Sequence, residues 1–329
     1  MKRKLSILAA AVLIPLLTGG YMLIGWTQRP LGPAMNLNLP HQLQAGLPEA
    51  QPARANTCGE AGIMQLIVHG LASDPQEGHF GADAVRLVVV NFDVPSAVIL
   101  SIPVAVRLDT PVLAKLGVER TTISQVYQEV WDETQNEPEE VRTEKASEAV
   151  AQTIVDNFAF IPDHYIIVEQ QAFVAFIDEL GGVEVDLPSA VDGTSEGYGT
   201  YPAGPQRLDG LHTLNLARLI TPPGYSEYEP DYWGRLARQD AILQGMRETA
   251  LNPANVLKIP DLISTVGQAV TTDLSIDQML SLLCMVKNVG KDVSLLTVGP
   301  DLVKINQEGR LIPDVEGIKA LIAAMQGEN

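Results

Sequence analysis

The segment Leu5–Trp26, LSILAAAVLIPLLTGGYMLIGW, runs for 22 residues without a charged side chain. At 1.5 Å of helical rise per residue it is long enough to cross the roughly 30 Å hydrocarbon core of a bilayer. Backbone inside hydrocarbon must satisfy its own hydrogen bonds, so a single spanning segment is helical. The competing reading is a cleaved secretory signal, whose apolar region is shorter, about 7–15 residues, and ends in a small-residue cleavage site. This run is longer and closes on Gly25-Trp26-Thr27-Gln28, so a retained anchor is predicted. Lys2, Arg3 and Lys4 precede it and no comparable basic density follows. That asymmetry places the N-terminus in the cytoplasm and the bulk of the chain outside.

The expected division is a basic flank at 1–4, the span at 5–26, a linker at 27–56 and a folded domain at 57–329. Residues 27–56 are rich in Pro, Gln, Asn and Ala and lack apolar periodicity, which reads as a tether. Over the whole chain, 46% hydrophobic and 19% charged residues support a sizeable core. The net charge of −18 argues against nucleic acid as a partner, because such binders draw their affinity from a basic face. Cys58 and Cys284 are the only two cysteines. In an exported domain they can pair; Cys284 also sits in the apolar run MLSLLCMV, where a buried free thiol is the alternative. Two cysteines cannot supply the four ligands of a structural zinc site.

Strand and helix signals alternate along the domain. IMQLIVHG, VRLVVVNF and AVILSIPVAVRL are β-branched apolar runs, the last two joined by the turn DVPSA as a hairpin. EKASEAVAQTIVDNF has helical spacing, HYIIVEQ reads as a strand, and QAFVAFIDELGG as a helix stopped by paired glycines. VEVDLP follows as a strand, and RLDGLHTLNLARLI as a helix with Asp209 at its N-cap. A long helix is expected from about Tyr232 to Leu251, and a further mixture closes the chain. The predicted architecture is α/β, a mixed central sheet sandwiched between helices in an α-β-α arrangement.

The sequence carries no glycine-rich phosphate loop, H-E-x-x-H or G-x-S-x-G. None of His41, His69, His79, His164 and His212 makes a metal-ligand spacing with another. What remains is arginine and carboxylate. In EYEPDYWGRLARQDAIL, Asp231 is followed by Arg235, Arg238 and Gln239. Helical residues three apart share a face, so the two guanidinium groups can serve one target. A salt-bridged surface helix is one reading and a bound diphosphate the other, since guanidinium forks match phosphate geometry.

The ordered pieces IPDHYIIV, ELGGVEVDLP, PAGPQRLDG and the closing R-x-x-R-Q of Arg235–Gln239 resemble the LytR-CpsA-Psr family of bacterial cell-envelope proteins, over most of the chain from about Gly62 onward. The resemblance implies an α/β domain with an apolar tunnel for a lipid tail and arginines around a diphosphate. It also implies a magnesium-dependent phosphotransferase that moves a glycan phosphate from a polyprenyl-diphosphate carrier onto peptidoglycan or another wall acceptor. Carried over by position, Asp83, Arg218 and Arg235 are the implied catalytic residues. Arg235, Arg238 and Gln239 are the implied diphosphate ligands, with Arg107 as a candidate substitute beyond the motif, and Asp83 and Asp231 are the implied ligands of Mg2+.

Several positions depart from the family pattern. Its Arg-x-Asp-Thr motif reads Gly81-Ala82-Asp83-Ala84 here, and its Ile-Pro-Arg-Asp motif reads Ile102-Pro103-Val104-Ala105. Ile220 stands where a second arginine follows Arg218. Arg107 and Asp109 can replace the lost pair if the strand continues past Ala105. Two readings stay open: a remodelled glycopolymer ligase, or a catalytically degenerate member that binds polyprenyl-phosphate lipid or a wall partner. A transcriptional regulator conflicts with the anchor and the acidic charge.

Overall fold

The computed structural model describes residues 27–39, 58–74, 79–224, 230–252, 255, 270–290 and 293–327. The expected membrane span lies outside the described residues, and among those described no helix is long and apolar enough to cross a membrane.

The centre is a six-stranded mixed sheet. Its strands are β1 (Ile63–Asp74), β2 (His79–Asn91), β3 (Ser96–Ile102), β6 (His164–Glu169), β11 (Val270–Thr272) and β12 (Ser294–Thr297), in the order β11-β6-β1-β2-β3-β12. The expected hairpin is β2–β3, antiparallel from Val85↔Ile102 to Asn91↔Ser96. β1 pairs antiparallel with β2 and parallel with β6. The central strands read as near-continuous apolar runs because both faces are covered. On β1, Ile67 and Leu71 enter one core with Leu87 and Leu100. Met64 and Leu66 point the other way, into a second core with Phe92 and Met285.

Helices α1 (Ile123–Glu133), α2 (Glu139–Phe158) and α7 (Val315–Gln326) supply side chains to the first core, and α6 (Ile276–Val289) to the second. A third cluster joins α3 (Gln170–Glu179), α4 (Gly210–Arg218) and α5 (Tyr232–Ala250) to the antiparallel pair of β7 (Val183–Leu187) and β10 (Gly204–Leu208). The mixed α/β architecture expected from the sequence is therefore present. Gly181 and Gly182 end α3 with φ of 78° and 92°, which only glycine adopts without strain. Asp209 caps α4 as anticipated, its carboxylate accepting from the His212 amide at 2.9 Å.

Two details differ from the sequence reading. Residues 30–38, expected to be tether, lie against the domain. The Leu31 amide donates to the Leu274 carbonyl at 3.1 Å, the Tyr165 hydroxyl to the Pro33 carbonyl at 3.0 Å, and the Asn38 amide to Gln152 Oε1 at 2.7 Å. Also, β3 does not run on to Arg107. The chain turns at Pro103–Ala105, with the Val106 amide donating to the Pro103 carbonyl at 3.1 Å. A separate short strand β4 (Arg107–Asp109) then pairs with β5 (Arg120–Thr122). Cys58 and Cys284 form a disulfide with Cα atoms 5.5 Å apart, tying the start of the domain to α6.

Candidate active site

An apolar cavity of about 480 Å³ lies between the sheet and the helices α3, α4 and α5, within the range of roughly 300–1,000 Å³ typical of small-molecule sites. Val68 and Ile166 line it from the sheet, Phe173 and Phe176 from α3, Leu214 from α4 and Ile242 from α5. Charge enters through Asp83, Arg218, Arg235 and Arg86, with Gln239 beside them.

Asp83 owes its position to an irregularity in β2. The β1–β2 register steps from Gly70↔Ala84 to Leu71↔Ala82, so Asp83 has no partner across the ladder. Such a bulge re-aims side chains. Ala82 joins the core below the sheet, Ala84 lines the cavity above it, and Asp83 projects between them.

Its carboxylate meets two arginines from two helices. Arg235 Nη2 lies 3.0 Å from Oδ1, and Arg218 Nε lies 3.5 Å from Oδ2. Arg218 is the last residue of α4, and Arg235 belongs to the first turn of α5, so the two helices deliver them to one point. Arg235 is further fixed by its bonds to the carbonyls of Ala217 and Asp83, each at 3.3 Å. One helical turn on, Gln239 donates to the Ala217 carbonyl at 3.1 Å and accepts from Arg86 Nη2 at 2.7 Å. The side chains of Asp83 and Arg218 are about one-quarter exposed and that of Arg235 13%. This is a desolvated but reachable cationic mouth on an apolar chamber.

Of the residues singled out from the sequence, Asp83, Arg218, Arg235 and Gln239 converge here. Arg238 does not. It lines neither this cavity nor its small neighbour and is 6% exposed. Its Nη1 pairs with Asp231 Oδ2 at 2.9 Å, and Nη2 donates to the Leu219 carbonyl. Arg238 therefore ties Asp231 at the start of α5 to Leu219 at the end of α4 rather than facing the cavity. Asp231 is equally committed, since its Oδ1 caps α5 by accepting from the Gly234 amide at 2.9 Å. Arg107 is also absent from both cavities. Past the turn at Pro103–Ala105 its guanidinium donates to the Arg120 carbonyl at 2.8 Å across β4–β5.

The small neighbouring cavity, about 30 Å³, lies on the other side of Asp83 and Arg235 and is lined by Val104, Ala105, Ile220 and Tyr232. The wall that the departures from the family pattern made doubtful is thus apolar.

Among the described residues no three His, Cys, Asp or Glu side chains gather as a metal-ligand cluster. Magnesium bound beside phosphates needs only one or two protein carboxylates. Asp83 can meet that requirement: its Oδ2 accepts no hydrogen bond, and Arg218 Nε faces it at the longer ion-pair distance of 3.5 Å. Asp231, with both oxygens engaged, does not.

One residue missed in the sequence, Arg86, lines the cavity. In the sequence it is a lone charge within the apolar run VRLVVVNF, and because both faces of the sheet are covered that charge is buried, 7% exposed.

The chain is 29% identical over 176 residues to the polyisoprenyl-teichoic acid–peptidoglycan teichoic acid transferase TagU of Halalkalibacterium halodurans, covering 53% of this chain and 54% of that protein. The chain thus spans about half the length of that relative. Among solved structures, it superposes on the LytR-Csp2A-Psr enzyme from Actinomyces oris with a TM-score of 0.63 at 16% identity, covering 91% of this chain and 96% of the other. It superposes on TagT bound to LIIa-WTA with a TM-score of 0.59 at 17% identity, covering 85% and 94%. At such identities the superpositions establish the fold. Taken with the LytR_cpsA_psr family model, which matches residues 53–322, they leave one assignment: the chain belongs to the LytR_cpsA_psr family.

Proposed function

We propose that this chain is a membrane-anchored, extracytoplasmic phosphotransferase. It takes a glycopolymer carried on a polyprenyl diphosphate and joins it, through a phosphodiester, to peptidoglycan or another wall acceptor. The observation that carries this reading is the joining of an apolar chamber of about 480 Å³ to the Arg218–Asp83–Arg235 cluster at its mouth. Such a site suits an amphiphile with an anionic head and a prenyl tail. The relative from Halalkalibacterium halodurans carries a transferase name for a substrate of that chemistry.

In this reading the prenyl chain lies along Val68, Ile166 and Phe173, and its burial excludes water from the diphosphate. Arg218 and Arg235 hold the phosphate that is transferred. As an acceptor hydroxyl forms its bond to that phosphorus, the bond to the polyprenyl phosphate breaks, and the hydroxyl proton passes to the departing polyprenyl phosphate. The two guanidinium groups stabilise the charge that accumulates, from positions already fixed by Asp83 and the Ala217 carbonyl. Asp83 Oδ2 is the atom that would hold Mg2+, which neutralises diphosphate oxygens when bound.

A second reading, lipid binding without transfer, is favoured by one specific observation: Val104, Ala105 and Ile220 leave no charge on the far wall. The test is magnesium-dependent transfer or hydrolysis of a polyprenyl-diphosphate glycan by the purified chain. Ligase activity predicts turnover that falls at least about 100-fold in R235A, on the scale of removing one transition-state donor. Binding that Arg235→Ala abolishes, with no turnover by the parent chain, would establish the binder. Neither binding nor turnover would refute the site.

A further inference from the structure

The cavity contains a cation that the cluster at its mouth does not use. Arg86 follows Asp83 by three residues on β2, pairs across the ladder with Val68, and lines the cavity with it. It is 7% exposed. Nη1 donates to the Val85 carbonyl at 3.1 Å and Nη2 to Gln239 Oε1 at 2.7 Å, which employs two of the five N–H donors of a guanidinium. No carboxylate of the described residues makes an ion pair with Arg86. The acid that influences it most, Asp240, already accepts from Ser101 Oγ at 2.8 Å and Thr297 Oγ1 at 2.6 Å. Burial pushes the Arg86 pKa down to about 10, with Asp240 opposing and Arg235 adding to the fall, so the side chain stays charged at neutral pH.

A buried arginine without a paired counter-charge is costly, and an apolar lining gives it no compensation. The ligand can. Arg235 and Gln239 are one turn apart on α5, and Gln239 joins Arg86 to the carbonyl of Ala217, which also holds Arg235. The site therefore has two polar layers, Asp83–Arg235–Arg218 at the mouth and Arg86–Gln239 on the prenyl side.

We propose that Arg86, backed by Gln239, is a second anion subsite that takes the lipid-side phosphate of a prenyl diphosphate, while Arg218 and Arg235 take the outer phosphate. This rests on the amphiphile reading above and adds a specificity to it: the chain selects prenyl diphosphates over prenyl monophosphates through Arg86. The contact is charge-assisted and desolvated, the kind worth the most per hydrogen bond.

The experiment is isothermal titration of the full chain in detergent micelles with farnesyl diphosphate, farnesyl monophosphate and farnesol. The parent chain is expected to prefer diphosphate over monophosphate by about ten-fold or more, equivalent to about 1.4 kcal/mol. R86M is expected to cut that preference to about two-fold while keeping its monophosphate affinity. A variant that retains the full preference overturns the subsite and leaves the lipid site standing. A parent chain that binds neither phosphate overturns both. R86Q can still bond Gln239 but carries no charge; it takes the same test, with the same outcomes, if R86M does not fold.

Discussion

Arg238 separates a structural clamp from a phosphate ligand, and the two roles predict opposite phenotypes. Its side chain and that of Asp231 are 7% and 12% exposed. Removing one member of a buried pair leaves the other charge uncompensated, which costs about 3–5 kcal/mol. In R238A the stranded group is Asp231, which keeps its bond to the Gly234 amide, while the Leu219 carbonyl loses a charged donor. The retained cap favours the lower end, about 3 kcal/mol. For a domain of this size, each kcal/mol moves Tm by about 2–4 °C, so R238A should melt about 6–12 °C lower.

Thermal denaturation followed by near-ultraviolet circular dichroism measures the shift. Prenyl diphosphate affinity, measured below the transition, should be unchanged, because Arg238 lines neither cavity. The pair variant D231N/R238M keeps an oxygen for the α5 cap and strands no charge. It should recover more than half of the lost stability, since replacing both partners is often close to neutral. An R238A variant that melts like the parent yet loses lipid binding would refute the clamp and restore the phosphate-ligand role.

Two stability predictions follow from groups outside the site. His69 is fully buried with neither ring nitrogen hydrogen-bonded, and burial alone pushes its pKa from 6.5 to about 3. The unfolded chain protonates this ring below about pH 6.5 and the folded chain does not, so its contribution is present above that pH and is lost as pH falls towards 3. Denaturant titrations between pH 7 and pH 4 should show H69L losing less stability than the parent, by up to about 1.4 kcal/mol per pH unit; equal slopes would exclude His69 as the source. Reduction of Cys58–Cys284, which closes a loop of 226 residues, should destabilise the chain by about 2–4 kcal/mol, read as a lower Tm with reductant. A chain whose Tm is indifferent to reductant, with the thiols shown to be reduced, would contradict that expectation.

The sheet and most helices were legible because their signals are local. The paired glycines after α3, Asp209 before α4 and the hairpin turn before β3 each act through backbone geometry that residue type dictates. The disulfide was legible only as an option, since composition says that two thiols exist and not that the domain start reaches α6. Site residues were harder, because partners decide them. Spacing alone puts Arg235 and Arg238 on one helical face. Asp231 and the Leu219 carbonyl, brought close by a loop, claim Arg238 instead. Arg107 could reach the Asp83–Arg235 cluster only if β3 continued, and the turn at Pro103–Ala105 ends it. The positions of Arg218 and Arg235 relative to Asp83 depend on how α4 and α5 dock, which no local pattern encodes.

Arg86 and the Val104–Ala105 turn bear on one another. Both flank the Asp83–Arg235 pair, Arg86 on the side of the large cavity and the turn on the side of the small one. In a family whose pattern puts charge at the turn, this chain has removed it there and holds a buried cation on the opposite side. Positive charge beside the Asp83–Arg235 pair therefore lies on the side of the large apolar cavity and not on that of the small one. An anionic head would then bind deeper than a charged turn would allow. The double variant R86M/V104R separates the two placements: it should regain diphosphate preference if positive charge near Asp83 is what matters, and fail to regain it if the head must sit at the inner layer. The inner subsite argued from Arg86 requires the second result, and recovery of the preference would refute it.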